Sequence, residues 1–106
     1  MKILLDECLP EDLSKLFVSH TIKTVREMKW KGKKNGELLM LLVKEEFEAF
    51  VTIDSNLPKQ QNLSKYHLVF IGIRATSNDI DVLTPIVHRI VKRIKSLQRG
   101  RSYIFD

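Results

Sequence analysis

The sequence has a single cysteine, Cys8, which excludes an intrachain disulfide and a cysteine-rich zinc site. No apolar run approaches the roughly 20 residues that cross a bilayer, so no membrane association is expected. The stretch MKILLDECLP has too short an apolar core for a signal peptide and meets an acid at Asp6. Linkers, low-complexity tracts and internal repeats are missing, as are P-loop, GxGxxG, GxSxG and HExxH patterns. The three histidines, His20, His67 and His88, lack metal-ligand spacing. These absences point to a reducing, cytoplasmic setting. The 106 residues fit one domain, residues 1–106, within the usual range of roughly 50–250.

What is present is ordinary for a folded protein: 43% hydrophobic and 29% charged residues. The net charge is +5, and its placement says more than its size. Lys29, Lys31, Lys33 and Lys34 form one acid-free patch, and Lys92, Arg93, Lys95, Arg99 and Arg101 form another. Such patches suit a nucleic-acid partner, and equally suit a solvated loop and a solvated helix end. Trp30, among the first lysines, could stack on a base or pin its loop to the core.

Strand-like and helix-like pieces alternate along the chain. Ile3 to Leu5 reads as a short buried strand, after which Pro10 suits a first helical turn and Leu13, Leu16 and Phe17 share a helical face. Thr21 to Val25 alternates as a second strand. Asn35 can cap a helix from Gly36, whose apolar run Leu38 to Val43 predicts deep burial. Ala49 to Ile53 is a third strand, Pro58 to Lys65 a short helix, and Tyr66 to Ile73 a strand covered on both faces. Asn78 and Asp81 resemble N-cap and N3 positions of a last helix, with a stripe of Ile80, Leu83, Val87, Val91 and Ile94. Pro85 predicts a kink or a restart capped by Thr84, and Ser102 to Phe105 closes as a strand. Alternating β and α pieces predict a parallel sheet between helices.

In a parallel sheet every strand ends on the same edge, where open α/β sheets place their sites. Asp6 and Glu7 follow the first strand, Glu37 opens the second helix, Asp54 and Asn56 follow the third strand, and Arg74, Asn78 and Asp79 follow the fourth. Gathered carboxylates raise one another's pKa unless a cation neutralises them. Hard cations such as Mg²⁺ and Mn²⁺ accept such oxygen ligands and support phosphodiester hydrolysis. Asn56 and Gln61 could then orient water or hold phosphate oxygens. Each acid also has a plainer use: Asp6 as a helix cap, Glu37 as a favourable charge at a helix N-terminus, Asp54 as a turn starter.

With 1-MKILLDECLP-10, 24-TVREMKWKGKKNGELL-39, 50-FVTIDSNLPKQQNL-63 and 71-IGIRATSNDIDVL-83, the chain resembles the PIN-like domain family over nearly its whole length. The resemblance implies a three-layer α/β fold, with a mainly parallel central sheet of about five strands flanked by helices. It also implies a Mg²⁺- or Mn²⁺-dependent endoribonuclease, with RNA as substrate. Related proteins often serve as the toxin of a toxin–antitoxin pair, so an antitoxin protein is an expected partner and a homodimer is compatible. Asp6, Glu37 and Asp54 match the catalytic, metal-holding acids; Asp79 is the nearest fourth ligand, with Asn78 beside it at the aligned place. RNA would lie against Lys33, Lys34, Asn35, Asn56, Gln61 and Asn78.

Two other classes meet the same residues. A catalytically degenerate scaffold of this kind would only bind RNA or protein. A phosphate-handling receiver domain would need a lysine at a strand end where this chain has Ile73-Arg74.

Overall fold

Two apolar clusters, one on each face of a sheet, organise the chain. The structure is a computed structural model and describes residues 1–33, 35–53 and 65–106. Its strands are β1 (Lys2–Leu5), β2 (Thr21–Thr24), β3 (Ala49–Thr52), β4 (Val69–Ile73) and β5 (Arg101–Phe105), and its α-helices are α1 (Asn35–Lys44) and α2 (Ile80–Arg93). Period-2 alternation sorts the strand residues. Ile3, Leu5, Ala49, Val51, Val69, Ile71 and Ile73 join one cluster, covered by α2 and a 3₁₀ helix at Glu11–Leu16. Leu4, Phe50 and Phe70 join the other, covered by Leu38, Leu39 and Leu42 of α1 together with Trp30 and Phe47. Because both faces are covered, the central strands carry continuous apolar runs, Ile3 to Leu5, Ala49 to Val51 and Val69 to Ile71. Fully burying a side chain such as Phe50 contributes up to about 3 kcal/mol.

All five strands are parallel, in the order β2-β1-β3-β4-β5. The α/β class and the parallel sheet of about five strands are as expected. No helix among the described residues is long and apolar enough to cross a membrane.

Several local expectations need correction. The first helix is 3₁₀, with Pro10 as its N-cap and a Phe17 N–H to Ser14 carbonyl bond of 3.3 Å at its end. A 3₁₀ rise of about 2.0 Å per residue spans the sheet with fewer residues than an α-helix needs. Helix α1 is not wholly buried: Met40 is 69% and Val43 50% exposed, so its outer stripe is apolar yet open. The last helix is capped one residue later than expected, at Asp79, without a side-chain cap bond. It runs through Pro85 unbroken, and Thr84 donates to the Ile80 carbonyl at 2.6 Å instead of capping a restart. Its buried stripe also includes Ile86 and Ile90. The helix expected from Pro58 lies outside the described residues, apart from Lys65 at its end.

Candidate functional site

The chain runs outward from β1 to β2, then crosses back over β1 to β3 and continues to β4 and β5. The carboxyl ends of β1 and β3 are therefore a switch point, where the connections leave in opposite directions and open a crevice. Asp6 stands there. Its N–H donates to the Val51 carbonyl at 2.9 Å, extending the β1–β3 ladder by one residue and setting Asp6 beside Thr52.

Thr52 is buried at 4% exposure, and its hydroxyl donates to Asp6 Oδ2 at 2.6 Å. The other carboxylate oxygen, Oδ1, accepts the Glu7 N–H at 2.8 Å. The carboxylate is thereby held in one orientation, and a carboxylate has about four lone-pair positions, so capacity remains for a ligand. Cys8 is exposed, with Sγ 3.5 Å from Asp6 Oδ2 and 3.8 Å from Thr52 Oγ1. Desolvation pushes its thiol above the ordinary value; a backbone hydrogen bond at Ile53 opposes this, and the Asp6 charge adds to it. A protonated thiol is a poor nucleophile, so Cys8 is a neighbour of the carboxylate rather than an attacking group.

From the far side, Asn78 Nδ2 donates to the Cys8 carbonyl at 3.4 Å. The loop after β4 thus reaches past β3 to the loop after β1, with Asn78 meeting the main chain two residues beyond Asp6. Asp79, next in the chain, is exposed. Its main-chain N–H donates to Ser77 Oγ at 3.2 Å.

Beside Asp6 a cleft of about 510 Å³ opens over the ends of β1 and β2, with Glu7, Thr24, Arg26 and Lys31 among its lining. Arg26 Nε lies 3.4 Å from Glu11 Oε1, and Lys31 adds a second cation to an otherwise acidic wall. The turn that carries Arg26 is built by reciprocal bonds. Thr24 N–H donates to Glu27 Oε1 and Glu27 N–H to Thr24 Oγ1, both at 3.1 Å. Arg26 and Thr52 were not singled out from sequence. The available signal was a threonine closing an apolar strand just before an acid.

Glu37 lies in the first turn of α1, paired at 2.9 Å with Nζ of Lys33, which precedes the helix. Two expected site residues thus engage each other. Lys34, Asp54, Asn56, Gln61 and the Asn35 side chain lie outside the described residues. Among the described residues, no three His, Cys, Asp or Glu side chains stand together as a metal-holding group; the expected trio includes Asp54. Trp30 is buried, edge-on to Phe47 with ring centroids 5.8 Å apart, so it pins its loop rather than offering a face to a base. Comparison with known proteins finds no relative: no family model matches the chain, and no characterised protein or solved structure matches it.

Proposed function

We propose that this protein is a metal-dependent endoribonuclease of PIN-like type, acting on RNA phosphodiesters as the toxin of a toxin–antitoxin pair. One observation carries the reading: the Asp6 carboxylate, fixed at the switch point by buried Thr52, opens on a cleft that also carries Arg26 and Lys31. The carboxylate and hydroxyl oxygens form a hard donor set, which fits Mg²⁺ or Mn²⁺ rather than a soft metal. Asp6, Glu37 and Asp54 would hold the ion, with Asp79 as a fourth candidate. Once bound, it would neutralise these carboxylates and supply Lewis-acid polarisation of the phosphate.

The remaining work belongs to the chain. Thr52 keeps the Asp6 carboxylate from rotating, so its acceptor positions are set before substrate arrives. Arg26 and Lys31 favour the phosphate charge at the cleft, and Asn78 holds the loop after β1 in place through the Cys8 carbonyl. An antitoxin would act by covering this edge.

Glu37→Gln is the test. Glu37 is 55% exposed in its ion pair with Lys33, and an exposed pair of this kind contributes about 0.2–1 kcal/mol. The melting temperature therefore barely moves, whereas Mn²⁺-dependent cleavage of single-stranded RNA falls by orders of magnitude. If wild type and variant are equally inert in Mg²⁺ and in Mn²⁺, without any antitoxin, the catalytic reading fails and a binding module replaces it.

A further inference from the structure

The basic stretch at the end of the chain takes no part in the site above. Beyond Asp81 the sequence carries Arg89, Lys92, Arg93, Lys95, Arg99 and Arg101 against one acid, Asp106. That acid is held by two arginines from separate elements. Arg74, following β4, bonds the Asp106 side chain through Nη2. Arg89, on α2, donates from Nη2 to the Asp106 main-chain oxygen. One helical turn further, the Arg93 guanidinium lies 5.6 Å from the Phe105 ring centroid. The Asp106 side-chain carboxylate is thus paired with Arg74, while Arg89 meets only a main-chain oxygen of the same residue.

We propose that Arg74 and Arg89 form a phosphate-binding subsite on the same sheet edge as Asp6, occupied in this structure by the chain's own Asp106. Resting on the ribonuclease reading, the phosphate is one from the RNA backbone. Guanidinium groups bind phosphate oxyanions by paired hydrogen bonds, and a phosphate offers more acceptor oxygens than one carboxylate. The internal occupant is also easily displaced. The Arg74 and Asp106 side chains are 75% and 63% exposed, and exposed pairs of this kind contribute little to stability. The carboxyl end of β4 lies two strand spacings from that of β1, roughly 10 Å, within reach of a short oligonucleotide seated at Asp6. The Arg74 hydrogen bond, which holds the Asp106 carboxyl below its ordinary range, accords with a site made for an anion.

The test reads the arginine Nε–Hε resonances during titration with inorganic phosphate. Signals from Arg74 and Arg89 should shift, and Asp106→Asn should tighten the phosphate Kd by about fivefold, the effect of one unit charge at contact distance in water. An unshifted pair of signals, or an unchanged Kd in Asp106→Asn, overturns the subsite. A second arm measures single-stranded RNA affinity in EDTA, where no cleavage occurs. Arg74→Ala/Arg89→Ala should weaken RNA binding and flatten its salt dependence. Should phosphate bind at the pair while this double variant keeps full RNA affinity, assignment of the phosphate to RNA is overturned. RNA binding absent even in wild type would defeat the ribonuclease reading, and with it the RNA assignment, while the phosphate arm still decides the arginine pair.

Discussion

Thr52→Val removes one hydroxyl and little else, which makes it the cleanest perturbation of the candidate site. In the native protein that hydroxyl donates to Asp6 Oδ2 at 2.6 Å from a residue only 4% exposed. Hydrogen bonds to charged groups contribute about 1.5–3 kcal/mol. Asp6 itself is only partly buried, so water can reach the vacated carboxylate position, and a loss near 1–1.5 kcal/mol is expected. In a domain of this size that lowers the melting temperature by about 4–8 °C. The single variant cannot separate the bond from other effects of losing the hydroxyl. A double-mutant cycle with Asp6→Ala, followed by urea unfolding, isolates it. The expected coupling energy is about 1 kcal/mol. A coupling below roughly 0.3 kcal/mol, the scatter of independent sites, would refute the claim that Thr52 orients Asp6.

Two further predictions concern groups away from the site. Desolvation alone would raise the Glu48 pKa, but the Lys2 N–H and Arg99 outweigh it and hold the group below its ordinary value of 4.5. Its contribution is thus whole above that value and lost as pH falls through the lowered one. Both partners of the Arg99 pair are about one-third exposed, so solvent screening limits the contribution to about 0.5–1 kcal/mol. Glu48→Gln should flatten the loss of stability below pH 4.5 in acid titrations followed by circular dichroism; an unchanged acid limb would contradict this. Trp30→Ala should destabilise by about 3 kcal/mol through cavity formation. RNA affinity per folded molecule should stay the same, and a selective loss of affinity would restore the base-stacking role.

The strands were legible because a sheet covered on both faces demands continuous apolar runs, as in Val69 to Ile73. Their order was not, since no residue announces that β1 sits between β2 and β3. Asp6 could be read as a candidate from its place after a strand, whereas its bond to Thr52 joins segments distant in sequence. The end of α1 was hidden for another reason. Glu46 adopts the left-handed conformation with φ 60°, and the Phe47 and Glu46 N–H groups bond the Leu42 and Val43 carbonyls at 2.9 and 3.1 Å. That closure normally carries glycine, so the usual stop signal is missing. Likewise Asn78 reads as a helix cap, but its side chain is used by the Cys8 carbonyl instead.

The central place of β1 also has a consequence in time. Ile3 pairs with Ile22 on one side and with Ala49 on the other, and Leu4 feeds one core cluster while Ile3 and Leu5 feed its counterpart. During synthesis, the first flank of β1 can close early, whereas the second waits until β3 has emerged from the ribosome. In that interval the nascent chain presents an unpaired apolar strand, the kind of edge that pairs with neighbouring molecules. A chain stalled before Val51 would keep that edge open, because the strand that sets Asp6 in register has not yet been made.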